Sequence, residues 1–204
     1  MHIAVSGNIG SGKTTLTEKL AKHYGWKAEF EAVDNNPYLA DFYEDMKRWS
    51  FHLQVYFLNS RFNQIRTIQE SKTPTIQDRT IYEDASIFAA NLYKSQLLTE
   101  RDYENYQSLF TSMVAHVKAP DLLIYLKADI PKLVGQIEKR GRSYETTMRI
   151  DYLKNLNTHY EEWIAGYTEG KLLIIDVNNL DFVENPDDFS LVVEKIEREI
   201  FGLF

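Results

Sequence analysis

Residues 7–14 read Gly7-Asn8-Ile9-Gly10-Ser11-Gly12-Lys13-Thr14, one residue after the largely apolar run His2-Ile3-Ala4-Val5. This octapeptide matches the pattern G-x-x-x-x-G-K-[ST] at every fixed position. The glycines let backbone N–H groups turn toward an anion, and the helix that follows presents its N-terminus to the same anion. The octapeptide therefore predicts a nucleoside triphosphate site between a buried strand and a helix, although it does not identify the reaction.

We call this octapeptide the phosphate loop. Lys13 is expected to reach the β- and γ-phosphates and to take part in catalysis, and Thr14 is expected to ligate Mg²⁺. The alternative interpretation is a chance Gly-rich turn that binds no nucleotide. The residues expected to contact ATP are Gly7, Asn8, Ile9, Gly10, Ser11, Gly12, Lys13, Thr14 and Thr15.

Apolar strands and helices alternate along the rest of the chain. Near-continuous apolar strands separated by helices indicate a parallel sheet covered on both faces. We therefore predict an α/β fold with a five-stranded parallel sheet, in one domain that spans residues 1–204. The predicted strands are 2–5, 27–30, 73–77, 121–126 and 172–176. The predicted helical regions are 13–24, 48–70, 85–118, 130–140, a further helix to about 167, and 186–201.

Composition excludes several classes of protein. The chain has 204 residues and a formal net charge of −7, which argues against a protein that coats a nucleic acid polymer. It has no cysteine, so disulfides, thiolate metal sites and cysteine nucleophiles are excluded. No segment is apolar over a bilayer-spanning length, and no signal peptide pattern is present. We expect a cytoplasmic protein that does not interact with membranes.

Polar residues follow the first three predicted strands. They are Ser6, Glu31 and Asp78, and they should converge because ligands bind at the carboxyl ends of parallel strands. Glu31 is a candidate base for an acceptor hydroxyl, Asp78 for holding Mg²⁺ through water, and Arg79 for binding phosphate or acceptor oxygens. The alternatives are a solvated side chain at Glu31 and a structural ion pair between Asp78 and Arg79.

A cluster of cations, Lys139-Arg140-Gly141-Arg142, lies between two predicted helices. Arginines on a flexible turn suit a lid, at about residues 139–145, that closes over a transferred phosphoryl group. Arg140 and Arg142 are therefore candidate ATP contacts. The alternative is a helix C-terminus whose cations interact favourably with the helix dipole.

Taken together, these motifs resemble the deoxyribonucleoside kinase family, which includes deoxycytidine, deoxyguanosine and insect deoxynucleoside kinases. The bacterial deoxyadenosine/deoxyguanosine kinases are the most similar branch. The resemblance runs nearly end to end and implies a P-loop kinase fold, with ATP-dependent phosphorylation of a deoxyribonucleoside 5′-hydroxyl. It is carried by residues 7–14, 31–38, 49–54, 78–80 and 140–142.

The resemblance also implies roles for individual side chains. Glu31 matches the base that activates the 5′-hydroxyl, Arg79 matches the arginine at that end of the nucleoside, and Asp78 matches an acidic residue near Mg²⁺. Two positions depart from the family pattern: Ala32 replaces a proline, and Asn36 replaces a tryptophan common in animal enzymes. The other matched positions are as follows: Tyr43 and Glu145 match residues that hold the sugar 3′-hydroxyl, and Gln54 matches the amide that hydrogen-bonds the base edge. Phe88 matches an aromatic residue that stacks on the base, and Arg140 and Arg142 match the arginines of the lid.

The resemblance extends to the choice of base. Arg61 and Asp84 match a pair that purine and deoxycytidine kinases use and that thymidine-preferring enzymes lack. The alternative is that Arg61 and Asp84 pair only with each other. The pair favours deoxyadenosine, then deoxyguanosine or deoxycytidine, and places thymidine last.

Two other functions remain open at this stage. One is a nucleoside monophosphate kinase such as thymidylate kinase, although an acceptor phosphate would require a cation where Glu31 lies. The other is a non-catalytic ATP-binding module. The resemblance further implies a homodimer, with the long helix as the candidate contact. Its apolar residues must be buried in the core or against a second subunit; they are Phe51, Val55, Leu58, Phe62 and Ile65.

Overall fold

The structure is a computed structural model and describes residues 1–31, 36–142 and 149–202. Its centre is a five-stranded sheet in the order β2-β3-β1-β4-β5, with every neighbouring pair parallel. This arrangement confirms the predicted fold class. The strands are β1 (His2–Gly7), β2 (Lys27–Glu29), β3 (Thr75–Asp78), β4 (Leu122–Lys127) and β5 (Lys171–Asp176).

Helices connect the strands and lie on both faces of the sheet. A π-helix over Asp84–Ala89 interrupts the helical segment that follows β3. No helix within the described ranges has the length and the apolar content needed to cross a membrane. The helices are α1 (Lys13–Tyr24), α2 (Leu39–Glu44), α3 (Met46–Glu70), α4 (Ile81–Glu83), α5 (Ala90–Lys94), α6 (Glu100–Val114), α7 (Ile130–Arg140), α8 (Ile150–Ala165) and α9 (Pro186–Phe201).

The side chains of each central strand alternate between two cores. On one face Val5 and Ile124 pack with apolar residues of α1, α7 and α9. On the other face Ala4, Leu123 and Tyr125 pack with the π-helix and α8. This alternation follows from the period of two in a β-strand. It places α8 and the π-helix on the same face of the sheet.

Several predicted boundaries were wrong for local reasons. The second strand ends at Glu29 rather than Phe30, whose side chain is exposed. The long helix begins at Met46 rather than residue 48, because the side chain of Asp45 caps it by accepting from the Arg48 N–H. The predicted helical region 85–118 breaks where Gln96 adopts a positive φ of 58°, and α6 ends at Val114.

The apolar face of α3 is partly buried within the chain. Leu58 and Ile65 are core residues, while Phe51, Val55 and Phe62 are partly buried against the core cluster that these two residues belong to. Contacts within the chain therefore cover only part of this face. The sequence had left both burial in the core and burial against a second subunit open.

Candidate active site

The phosphate loop connects the end of β1 to the start of α1. Gly12 caps the helix in the left-handed region, with φ of 93°, and a Cβ at this position would lie 2.8 Å from the Phe182 ring. Both facts exclude other residues there, because L-residues are strained at positive φ and the ring leaves no space. The glycine of the motif is thus required by backbone geometry as well as by the approach of an anion.

Lys13 lies buried inside the loop, where its Nζ donates to the Asn8 carbonyl at 2.8 Å. Asn8 in turn donates through Nδ2 to the Leu153 carbonyl and to Asn157 Oδ1, both at 3.1 Å, so the loop is tied to α8. Burial, together with the nearby charge of Arg79, lowers the pKa of Lys13 to about 7, against the opposing effect of acidic neighbours. The loop therefore holds a cation that an anionic ligand would stabilise.

Thr14 and Asp78 meet at the carboxyl ends of β1 and β3. The Thr14 hydroxyl donates to Asp78 Oδ2 at 2.6 Å. Asp78 Oδ1 is buried and has no hydrogen-bond partner among the described residues. A hydroxyl and a carboxylate are hard oxygen donors of the type that Mg²⁺ prefers, and an unpaired carboxylate oxygen is an acceptor that a cation would satisfy. The pair therefore fits a magnesium ion.

Arg79 follows β3 with an unusual backbone. Its φ of 70° lies in the left-handed region, and its N–H donates to the Val5 carbonyl at 2.9 Å. Its Nη1 lies 3.3 Å from the Gly7 carbonyl, and its guanidinium carbon lies 4.7 Å from the centre of the Phe88 ring. One side chain thus contacts both the phosphate loop and the π-helix.

Five charged residues form a network that we call the ion cluster, in which all but the partly exposed Glu31 are buried: Glu31, Arg61, Arg79, Glu83 and Asp84. Glu31 Oε1 accepts a hydrogen bond from Arg61 Nη2 at 2.8 Å and forms an ion pair with Arg79 Nε at 3.1 Å. Burial alone would raise the pKa of Glu31, but the charges of Arg79, Arg61 and Lys13 outweigh burial and lower it to about 2. Glu31 is therefore ionised at neutral pH.

Arg61 is fully buried, with 1% of its surface exposed, and it contacts the site through three acceptors. Its Nε donates to Asp84 Oδ2 at 2.7 Å, its Nη1 to the Asp78 carbonyl at 3.2 Å, and its Nη2 to Glu31. The expected pair with Asp84 is thus present, but Arg61 also holds Glu31. Burial raises the pKa of Asp84 to about 7, while the adjacent Arg61 opposes the rise.

A cavity of about 390 Å³ joins the phosphate loop to the ion cluster. Gln54 lines this cavity, and its Oε1 is buried without a hydrogen-bond partner among the described residues. Glu145, expected at the sugar, lies outside the described residues, as does the end of the expected lid. The predicted residues that line the cavity are Ile9, Lys13, Thr14, Glu31, Tyr43, Gln54, Asp78, Arg79, Asp84, Phe88, Arg140 and Arg142.

A family model described as deoxynucleoside kinase matches residues 3–201. The chain belongs to the deoxynucleoside kinase family. It is similar to a deoxyadenosine/deoxycytidine kinase of Bacillus subtilis, with 41% identity covering 97% of this chain and 92% of the relative. It is also 40% identical to a deoxyadenosine kinase of Dictyostelium discoideum, over 95% of this chain and 78% of the relative. Its membership makes it an enzyme, a kinase that phosphorylates nucleosides.

Solved structures of a deoxynucleoside kinase share the fold closely. A deoxyadenosine kinase of M. mycoides with bound dATP superposes with a TM-score of 0.86 at 30% identity, covering 97% of this chain and 99% of that one. The same enzyme with the products dCMP and dCDP gives a TM-score of 0.87. These comparisons confirm the family resemblance seen in the sequence.

Sequence reasoning missed several residues of this deoxynucleoside kinase. Phe57 of α3 lines the cavity, although aromatic residues on such a helix more often serve packing. Its spacing of three from Gln54 puts both on one face of α3, and that signal could have identified it. Tyr152 also lines the cavity, from α8. Glu83 and Tyr160 contact Arg79 on its side away from the cavity. The capping-box spacing Thr80-x-x-Glu83 could have singled out Glu83, whereas no motif marks Tyr160.

Proposed function

We propose that this kinase transfers the γ-phosphoryl group of ATP to the 5′-hydroxyl of deoxyadenosine. The observation that carries the proposal is the single cavity that contains both Lys13 of the phosphate loop and Glu31 of the ion cluster. A phosphate-binding cation and an acceptor-side carboxylate in one cavity are two parts that phosphoryl transfer to an alcohol requires.

On the donor side, backbone N–H groups of the phosphate loop and Lys13 would bind the β- and γ-phosphates. Thr14 and Asp78 would hold Mg²⁺, which neutralises negative charge on these phosphates. Arg140 and Arg142 line the same cavity and would contact the transferred group from the other side. The protein's contribution is position and charge, because the transition state of phosphoryl transfer is loose.

On the acceptor side, Glu31 would accept a hydrogen bond from the 5′-hydroxyl. A carboxylate whose pKa is about 2 is a weak base, so it orients the hydroxyl and receives its proton late, once the new P–O bond makes the hydroxyl acidic. Arg79, beside Glu31, would bind the oxygens that gain charge. The low pKa therefore agrees with a loose transition state, in which early proton removal contributes little.

Gln54, Asp84 and Phe88 line the cavity and would select the base, whereas Arg61 does not line it and would act by holding Asp84. The unpaired Gln54 Oε1 would accept from a donor on the base edge, and Asp84 would accept from an exocyclic amine, which thymine lacks. The activities named for the relatives, deoxyadenosine and deoxycytidine, both concern bases that carry such an amine. Leaving one buried polar group unpaired costs about 1–3 kcal/mol, so we expect selectivity over thymidine of about ten- to a hundredfold.

The test is product formation from ATP with a panel of deoxynucleosides and their monophosphates. We expect deoxyadenosine monophosphate to form fastest, deoxyguanosine or deoxycytidine to follow, and thymidine to be slowest. Phosphorylation of monophosphates alone would instead identify a nucleoside monophosphate kinase. ATP binding without turnover on any acceptor would identify a binding module.

The ratio of kcat/KM between deoxyadenosine and thymidine tests base selection separately. Because Arg61 also binds Glu31, Arg61→Met should lower kcat for every nucleoside. Asp84→Asn leaves that contact in place and should shift mainly the ratio, toward thymidine. An unchanged ratio in Asp84→Asn would remove Asp84 from base selection.

A homodimer and a cytoplasmic location stay predictions. The helices α3 and α6 carry partly buried apolar side chains, and Leu109 of α6 is 36% exposed. These features are compatible with a subunit contact. Light scattering at micromolar concentration should give twice the mass of the chain, and a monomer would contradict the dimer.

A further inference from the structure

Arg79 is held from behind by two fully buried side chains that the proposed chemistry does not use. Its Nη1 donates to the Tyr160 hydroxyl at 2.6 Å and lies 3.3 Å from Glu83 Oε1. The Tyr160 hydroxyl donates to the same Glu83 oxygen at 2.8 Å. The hydroxyl thus accepts from Arg79 and donates to Glu83, and its two roles fix the direction of the guanidinium.

The two oxygens of Glu83 have separate functions. Oε2 accepts from the Thr80 N–H at 2.8 Å and closes a capping box at the start of α4. Oε1 is the one that contacts Tyr160 and Arg79. Glu83 therefore joins the backbone that immediately follows Arg79 to the side chain of Arg79 itself.

The backbone of Arg79 requires such support. A non-glycine residue at φ of 70° costs on the order of 1–3 kcal/mol and persists where its surroundings fix it. Burial holds the pKa of the Tyr160 hydroxyl well above its ordinary value, so the hydroxyl keeps the proton that it donates to Glu83. Strain at Arg79 is thus balanced by contacts from two other positions.

We propose that Glu83 and Tyr160 are positioning residues that aim Arg79 at the reacting oxygens. Both are 0% exposed, so they act through Arg79 rather than on the substrate. Tyr160 comes from α8, which also supplies Tyr152 to the cavity and the Leu153 carbonyl to the phosphate loop. One helix thereby sets the arginine relative to the loop. This inference rests on the proposed role of Arg79 in the phosphorylation of a nucleoside.

The first test is Tyr160→Phe, with Tyr125→Phe as the matched control. The two rings stack with their centroids 5.8 Å apart, so each substitution removes one hydroxyl from the same pair of stacked rings. The Tyr125 hydroxyl binds Glu161 instead of Arg79. We expect kcat to fall about ten- to a hundredfold in Tyr160→Phe, with KM for the nucleoside nearly unchanged, and to stay within about twofold in Tyr125→Phe. An equal kcat in the two variants would overturn the proposal.

A double-mutant cycle distinguishes positioning from a general structural role. If Tyr160 acts through Arg79, the loss caused by Tyr160→Phe should shrink to within about twofold when Arg79→Lys is already present. The same loss in both backgrounds would contradict the proposal. Glu83→Gln should behave like Tyr160→Phe, and thermal unfolding of each variant checks that it folds.

The orientation of Arg79 can also be read without any substrate. In ¹⁵N NMR of the wild type, the Arg79 Nη1–H group that donates to Tyr160 should exchange slowly with water, and exchange should be at least tenfold faster in Tyr160→Phe but not in Tyr125→Phe. Equal exchange rates would overturn the positioning role even if the enzyme acts on nucleosides. Conversely, slow exchange in a protein that phosphorylates no nucleoside would contradict the proposed function alone.

Discussion

The phosphate loop and the ion cluster face each other across one cavity but are held in different ways. The loop is eight consecutive residues whose shape depends on backbone conformation, as the left-handed Gly12 illustrates. The ion cluster brings together residues that follow β2 and β3 or lie on α3, α4 and the π-helix, and it is held by buried ion pairs. The loop should therefore be sensitive to added atoms, and the ion cluster to altered charge.

The largest effect should come from removing the cation of the loop. Lys13→Ala deletes the charge that stabilises the transferred phosphoryl group, and we expect kcat to fall about 10³–10⁵-fold. Because burial already disfavours the charged lysine, the variant should unfold at the same or a higher temperature. Lys22→Ala, an exposed position on the same helix, is the control and should retain activity within about twofold. Substantial turnover in Lys13→Ala would contradict the assignment.

The next effect concerns charge on the acceptor side. Glu31→Gln keeps the shape of the side chain but loses its charge, so kcat should fall about 10²–10⁴-fold while nucleoside KM changes little. Glu29→Gln, on β2 and paired with Lys27 away from the ion cluster, is the matched control. Steady-state kinetics with saturating ATP separate the two parameters. Near-normal kcat in Glu31→Gln would exclude Glu31 as the acceptor-side carboxylate.

A methyl group tests the loop by shape alone. Gly12→Ala combines a φ of 93° with a contact of 2.8 Å to Phe182, whereas Gly25→Ala has a φ of 66° and nothing within 4 Å. Gly25→Ala should cost about 1–2 kcal/mol of folding stability and leave nucleotide binding unchanged. Gly12→Ala should lower ATP affinity about ten- to a hundredfold as well. Titration calorimetry with ATP measures the affinity of both variants. Equal affinities would show that the loop tolerates added volume.

The same contrast explains what could be predicted from the sequence. The phosphate loop could be assigned because its residues are consecutive and their spacing carries the chemistry. Glu31 and Asp78 could be placed near it because both follow strands of a parallel sheet. Tyr160 could not, because its contact with Arg79 spans 81 positions and depends on how α8 packs on the sheet. The side chain of Asp45 and the positive φ of Gln96, which moved helix ends, are local details that hydrophobic periodicity does not report.

The smallest effect is a proton taken up when nucleotide binds. The folded-state pKa of Lys13, about 7, lies below its ordinary value of 10.5, so from about pH 7 to 10.5 the unfolded chain binds more protons and stability rises with pH.

Bound phosphates should raise that pKa again, so at pH 8 binding of ATP should take up close to one proton. Two other groups could exchange protons on binding, namely Asp84 and the terminal phosphate of ATP. Both are already largely ionised at pH 8, because the pKa of Asp84 is about 7 and the second pKa of a phosphate is about 6. Titration calorimetry in two buffers of different ionisation enthalpy measures the uptake. Lys13→Arg, which stays protonated, should abolish it while retaining a cation for the phosphates. Uptake near zero in the wild type, or unchanged in Lys13→Arg, would show that Lys13 is already charged in the free enzyme.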